Sequence, residues 1–194
     1  MRIFLIAAAL LISACSTPPQ QRSANLPQLP PVYHEDISLT GRLSVSYQQN
    51  GKAQALQGKF SWDQHKDTTH IALFSPLGQT IAQIAISPAM ATLKQAGSPM
   101  RVAADINSLT LDALGWPMPV AGLRDWLQGY SRDARGIRPV SSAAFQSADW
   151  QINYVSWQDE PGAAKFPKRI DLRHASASAG MIGLKIVIDT WLPK

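Results

Sequence analysis

The stretch WDQHKDTTH gathers Asp63, His65, Asp67 and His70, the densest group of metal-type ligands in the chain. Carboxylates and imidazoles of this kind can hold a divalent cation, but zinc sites usually pair their His or Cys ligands more tightly. All four fall where one run of alternating residues ends and the next begins, so a polar hairpin tip is the favoured reading. His34 and His174 stand alone and read as surface or turn residues. No G-x-S-x-G elbow, S-x-x-K pair or glycine-rich phosphate loop occurs. Nucleophilic catalysis is left without a candidate, and no cofactor is called for.

The remaining reactive side chain is Cys15, the only cysteine. It follows MRIFLIAAALLISA, in which Arg2 precedes an apolar run from Ile3 to Ile12 and then small residues. That run is far short of the roughly 20 residues that cross a bilayer, so it reads as a secretory signal. Ile12-Ser13-Ala14-Cys15 resembles the bacterial lipobox, whose cysteine is acylated and becomes the new N-terminus. The alternative is an ordinary signal peptide with an incidental cysteine. A lone cysteine in an exported chain can form no internal disulfide, and lipidation gives it a use. Two or more acyl chains hold a protein stably on a membrane, where one is marginal. Ser16 replaces the Asp that resembles an inner-membrane retention signal, which points to the outer membrane.

A third stretch, FSPLGQT, lies between two alternating runs. Ser75-Pro76-Leu77-Gly78 fits a type I turn, with Ser first, Pro second and Gly fourth. Leu77 is then the third turn residue, where a side chain projects most readily into solvent. Single exposed leucines are common, so the residue alone carries no function.

These side chains need elements to hold them, and period two dominates. In LTGRLSVSYQ, Leu39, Leu43, Val45 and Tyr47 share one face; Thr40, Arg42, Ser44 and Ser46 share the other. Asn50-Gly51 signals a hairpin. Leu56, Gly58, Phe60 and Trp62 line the return, followed by Ile71/Leu73, Ile84/Ile86 and Ala91/Leu93. The same pattern returns in Trp150/Ile152/Tyr154, Ile170/Leu172 and Ile182/Leu184/Ile186/Ile188. One dry and one wet face per strand indicates an antiparallel sheet, which must curl to cover its dry face. Between the two sets, the pattern predicts a helix over 104–114 that stops at Gly115. A second opens at Pro119, with Val120, Leu123 and Leu127 in a stripe beside Trp126, and ends at Gly129. Two short helices are placed to cap the open sheet. Residues 131–148 read as loop, with one short strand near Val140.

The domain plan is a signal peptide over 1–14, a lipidated cysteine with a flexible Pro-rich tether over 15–36, and a single domain over 37–194. As polyproline, STPPQQRSANLPQLPP would reach about 50 Å at ~3.1 Å per residue. The chain has a formal net charge of +5, one unit of which sits on Arg2 in the leader. This mild excess favours anionic lipid or an acidic partner; export and the lack of any nucleic-acid motif argue against DNA or RNA. Arg132, Arg135, Arg138, Lys165, Lys168, Arg169 and Arg173 form either a docking patch or a solvated face.

The lipobox ISAC, LTGRLSV, FSW, SPLGQT, GWPMPVAGLRDWLQGY and GLKIVIDTW together resemble the LolB family, outer-membrane lipoproteins that receive other lipoproteins from the periplasmic carrier LolA. The likeness covers most of the chain from Leu39 onward. It implies a mainly β fold, an incomplete antiparallel β-barrel whose open side is closed by short α-helices, with an apolar interior that accepts acyl chains. Candidates for that interior are Leu43, Val45, Phe60, Trp62, Leu73, Ile84 and Ile86 from the first strands. Leu123, Trp126 and Leu127 come from the second helix, and Ile152, Tyr154 and Leu184 from the last strands. Pro76, Leu77 and Gly78 match the family's protruding loop, whose apolar residue is associated with delivery of cargo into the membrane. The implied partners are a LolA-like carrier, acylated lipoprotein cargo and outer-membrane lipid, met by a monomer. The family's first helix has no counterpart in this sequence, which leaves at most a turn around Tyr33 to Asp36. The rival readings are a lipid-anchored, lipocalin-like binding module for a small hydrophobic ligand and a periplasmic hydrolase.

Overall fold

The computed structural model describes residues 32–49, 51–158 and 165–194. Cys15, the leader, the tether as far as Pro31, and Asn50 lie outside the described residues.

The first alternating run forms β1 (Asp36–Gln49) and returns as β2 (Lys52–His65). Their register sets Leu39 opposite Trp62, Leu43 opposite Gly58 and Val45 opposite Leu56, so the expected dry face is continuous across both strands. The meander continues through β3 (Thr68–Phe74), β4 (Thr80–Ile86), β5 (Ala91–Gln95) and the short β6 (Arg101–Ala103). The chain then forms α1 (Ile106–Leu114) and α2 (Val120–Trp126), followed by a two-stranded ribbon of β7 (Tyr130–Asp133) and β8 (Gly136–Pro139). A second meander runs through β9 (Ala144–Ser147), β10 (Trp150–Trp157), β11 (Pro167–Ser176) and β12 (Gly180–Pro193).

Pairing of β12 with β1 joins the two meanders into one ten-stranded antiparallel sheet, in the order β6-β5-β4-β3-β2-β1-β12-β11-β10-β9. Among the described residues its edges are β6 and β9, and the helices occupy the stretch of chain between them. Ile84 on β4 and Ile152 on β10 stand far apart in that order, yet belong to one core with Leu109 and Trp126 of the helices. Only a sheet curled around its dry face can bring them together. The fold is thus mainly β: an open, curved antiparallel sheet with two helices over the gap.

One glycine is needed for this curl. A register shift between Thr40 and Gly41 lets β1 bend, and a Cβ at Gly41 would overlap the Val187 carbonyl oxygen and the Phe60 ring. α1 stops at Gly115 as expected but begins at Ile106, two residues later than predicted. α2 opens after Pro119 as expected but ends at Trp126, with residues 127–129 forming a turn rather than a last helical stretch. Asp105 caps α1 by accepting from the Ser108 N–H at 2.9 Å and its hydroxyl at 2.8 Å, and Gly115 ends it with its N–H on the Leu111 carbonyl. Those two bonds hold the Asp105 carboxyl below the usual carboxylate range, the backbone bond most of all.

Residues 131–148 depart from expectation. Instead of loop with a strand at Val140, they hold most of β7, all of β8 and all of β9, on either side of Val140. These are four-residue strands with mostly exposed side chains, held by backbone pairing, so no dry face imprints a period on the sequence. Ahead of β1, no helix occurs among the described residues, and the segment is docked rather than free. The His34 N–H donates to Gln128 Oε1 at 2.8 Å and Gln128 Nε2 donates to the His34 carbonyl at 2.9 Å.

Candidate functional site

Of the four ligand-type residues in WDQHKDTTH, Asp63 and His65 are engaged within the protein, while Asp67 in the β2–β3 turn and His70 on β3 are exposed. The Asp63 carboxylate accepts from Lys194 Nζ at 2.7 Å and from the Ser38 hydroxyl, while His65 pairs with Asp36 across the β1–β2 register. Among the described residues no three His, Cys, Asp or Glu side chains are grouped to hold a metal ion. The basic residues divide: Arg132, Arg135 and Arg138 lie on the β7–β8 ribbon, whereas Lys168, Arg169 and Arg173 lie on β11 of the main sheet.

Beneath the helices the sheet's dry face is not fully filled. A cavity of about 40 Å³, lined only by apolar side chains, lies between Phe60, Trp62, Ile71 and Leu184 of the sheet and Val120, Leu123 and Leu127 of the α2 region. A neighbouring cavity of about 170 Å³ lies between β1–β5 and α1, against Val45, Tyr47, Leu93, Ala113 and Trp116. The two share Leu43, Leu73, Ile84 and Met118 as a common wall. Half-exposed Leu56 and Ile81 bring the larger cavity to the surface.

Nine of the residues predicted for an apolar interior therefore face the cavities: Leu43, Val45, Phe60, Trp62, Leu73, Ile84, Leu123, Leu127 and Leu184. Four do not. Trp126, Ile152 and Tyr154 are packed into solid core, and Ile86 faces a separate cleft beside Tyr33 and Arg124. The Tyr154 hydroxyl donates to the Trp126 carbonyl at 2.9 Å; burial, then the nearby Asp125 charge, push its pKa well up. Met118 was missed because the W-P-M-P connection has no period, and Val120 although it stands in the predicted stripe with Leu123 and Leu127. Ile71 and Ile186 sat on predicted inward faces, and that position is the signal that would have found them.

The roof is braced at its far end. Asp125, buried on α2, accepts two bonds from the Arg132 guanidinium at 3.0 and 3.1 Å and one from the Tyr33 hydroxyl at 3.0 Å. The bonds to Asp125 raise the Arg132 pKa above its ordinary value.

Leu77 stands clear of all this, 91% exposed. The Gly78 N–H donates to the Ser75 carbonyl at 2.9 Å, the bond expected of a β-turn, and the Gln79 N–H donates to Ser75 Oγ at 3.2 Å. Gly78, at φ 88, takes a conformation that an L side chain resists.

Residues 35–191 match the family model described as outer membrane lipoprotein LolB. The chain belongs to the LolB family. An outer-membrane lipoprotein LolB of Cupriavidus necator is 34% identical over 100% of this chain and 97% of its own length. One from Chromobacterium violaceum is 27% identical over 98% of each chain. A LolA superfamily protein from Nitrosomonas europaea overlays at a TM-score of 0.42 with 7% identity, covering 81% of this chain and 86% of its own, too loosely to support any inference. As a LolB family member the protein is a lipoprotein of the outer membrane, within the system that localises lipoproteins.

Proposed function

We propose that the protein accepts lipoproteins from a LolA-like periplasmic carrier, shelters their acyl chains in the cavity under α1 and α2, and inserts them into the outer membrane. Cys15, acylated, anchors it there, and the segment from Ser16 to Pro31 spaces the body from the bilayer. The observation that carries this reading is a nearly fully exposed leucine on a braced turn, set on the same body as a cavity lined by apolar side chains.

Each buried methylene is worth ~0.8 kcal/mol, so a 16-carbon chain gains about 12 kcal/mol on leaving water. A receptor that holds such chains better than the carrier, and less well than the bilayer, passes them downhill. No nucleotide hydrolysis and no catalytic group are required, and the protein works as a monomer.

Leu77→Glu tests the loop. Folding and uptake of acylated cargo should stay near normal, while insertion of that cargo into liposomes is lost; undiminished insertion would overturn the assignment. The second reading, a binding protein for a small hydrophobic ligand, draws on the wholly apolar lining of the cavity under α2. Co-purification of a free lipid, with no acylated protein taken from the carrier, would select it.

A further inference from the structure

Four cations line one groove on the outer face of the sheet, and the loop that carries Leu77 forms its end. Arg42, Lys59, Arg169 and Lys185, together with Pro76, border an open groove of about 440 Å³. The strand register explains the grouping. Lys59 on β2 opposes Arg42 on β1, Arg42 opposes Val187 on β12, and Val187 opposes Arg169 on β11. At ~4.8 Å between strands this row crosses roughly 15 Å. Lys185 lies two residues along β12, and Phe74, where the loop begins, opposes Lys59 on the other side.

The groove has a positive excess. Arg42 is bound by Asp189, at 3.1 and 2.9 Å, and Arg169 by Asp171, at 2.9 Å twice. Lys59 and Lys185 have no ion-pair partner among the described residues. Two carboxylates thus answer four cations, and the two unanswered charges are lysines on long, exposed stems.

Resting on the reading of Leu77 as the residue that touches lipid, we propose that this groove binds the phosphate-bearing headgroups of an anionic bilayer and sets the angle at which the loop meets the membrane. Pro76 is the neighbour of Leu77 in the chain, so the groove edge lies about 4 Å of backbone behind the leucine. When the leucine enters the acyl boundary, the cations are left at headgroup depth. Exposed lysines near such a surface attract anionic lipid by roughly a fivefold gain in partition each. A free phosphate would call for an enclosed site with converging donors; this groove is broad and open, suited to a plane of charges.

The test uses the full-length lipidated protein, anchored through its own acyl chains in vesicles of phosphatidylcholine alone or with phosphatidylglycerol added. Amine acetylation followed by mass spectrometry reads each lysine, with exposed Lys94 on β5 as the reference. Labelling of Lys59 and Lys185 should slow severalfold in the anionic vesicles, recover with added salt, and leave Lys94 unchanged. The double variant K59Q/K185Q should insert cargo up to about 25-fold more slowly into anionic vesicles, fivefold for each lysine, and at the normal rate into neutral ones. L77E should fail in both, which separates the two readings: equal lysine labelling beside an inactive L77E defeats the groove alone, and normal insertion by L77E defeats the loop reading. Protection by inorganic phosphate in neutral vesicles, or only after the carrier is added, would also overturn the proposal, in favour of a phosphate site or a protein-docking face.

Discussion

Asp63 shows what the polar residues at one end of the sheet do. Its carboxyl is held below the usual carboxylate range, first by the hydrogen bond from Lys194 and then by that from Ser38. A carboxylate with a lowered folded-state pKa stabilises the protein above its unfolded value, about 3.9, and loses that contribution as pH falls toward the folded value. Asp63→Asn should therefore flatten the acid limb of the stability curve below about pH 4. The side chain is 48% exposed, so the loss at neutral pH should stay under about 1 kcal/mol. Denaturant melts from pH 7 down to pH 3 would check both, and an unchanged acid limb would contradict them. The same residue marks a limit of sequence reading. WDQHKDTTH was legible as a hairpin tip because it separates two periodic runs, but Lys194, at the far end of the chain, could not be foreseen as a partner. Leu77 was legible because Ser, Pro and Gly at fixed offsets define a turn with little help from the rest of the fold.

At the scale of the element, α2 illustrates packing overriding propensity. Gly122 lies inside this seven-residue helix, where alanine would ordinarily gain about 1 kcal/mol. A Cβ there would overlap the indole ring of Trp126, which is only 3% exposed and whose carbonyl holds Tyr154. Overpacking of this kind costs roughly 1–3 kcal/mol, so Gly122→Ala should lower the denaturation midpoint rather than raise it. A midpoint at or above the parent's would mean the ring moves aside freely. The helices themselves were legible, since Asp105, Gly115 and Pro119 are local signals, and so were the long strands, whose one dry face writes period two into the chain. The ribbon of β7 and β8 was not, because four-residue strands with wet sides leave no period to read. Nor could the pattern separate cavity from core. Phe60 and Tyr154 both point inward, and only packing decides that one borders empty space while the other is enclosed.

For the whole molecule, the volumes present a mechanical requirement. Cavities of about 40 and 170 Å³ fall short of the ~300–1,000 Å³ of typical ligand sites, so cargo needs something to move. The sheet is a poor choice. β1 is paired along most of its length with both β2 and β12, and opening it would break ladders on two sides. The roof is better suited, since helices of nine and seven residues are too short to persist without tertiary packing, and they cover a gap between two edges that do not pair. Loading should displace residues 104–129 outward while the ten strands keep their register. Amide hydrogen exchange makes this testable. In the empty protein, amides of α1 and α2 should exchange on the order of tenfold or more faster than those at the centre of β1 and β12, as expected of a locally opening unit. Binding of an acylated cargo should then alter protection in α1, α2 and the adjoining β6 and β7, to which Arg132 ties Asp125, and not in the central strands. If the change instead spreads along β1 and β12, the sheet itself is the moving part and the helices are a fixed cover.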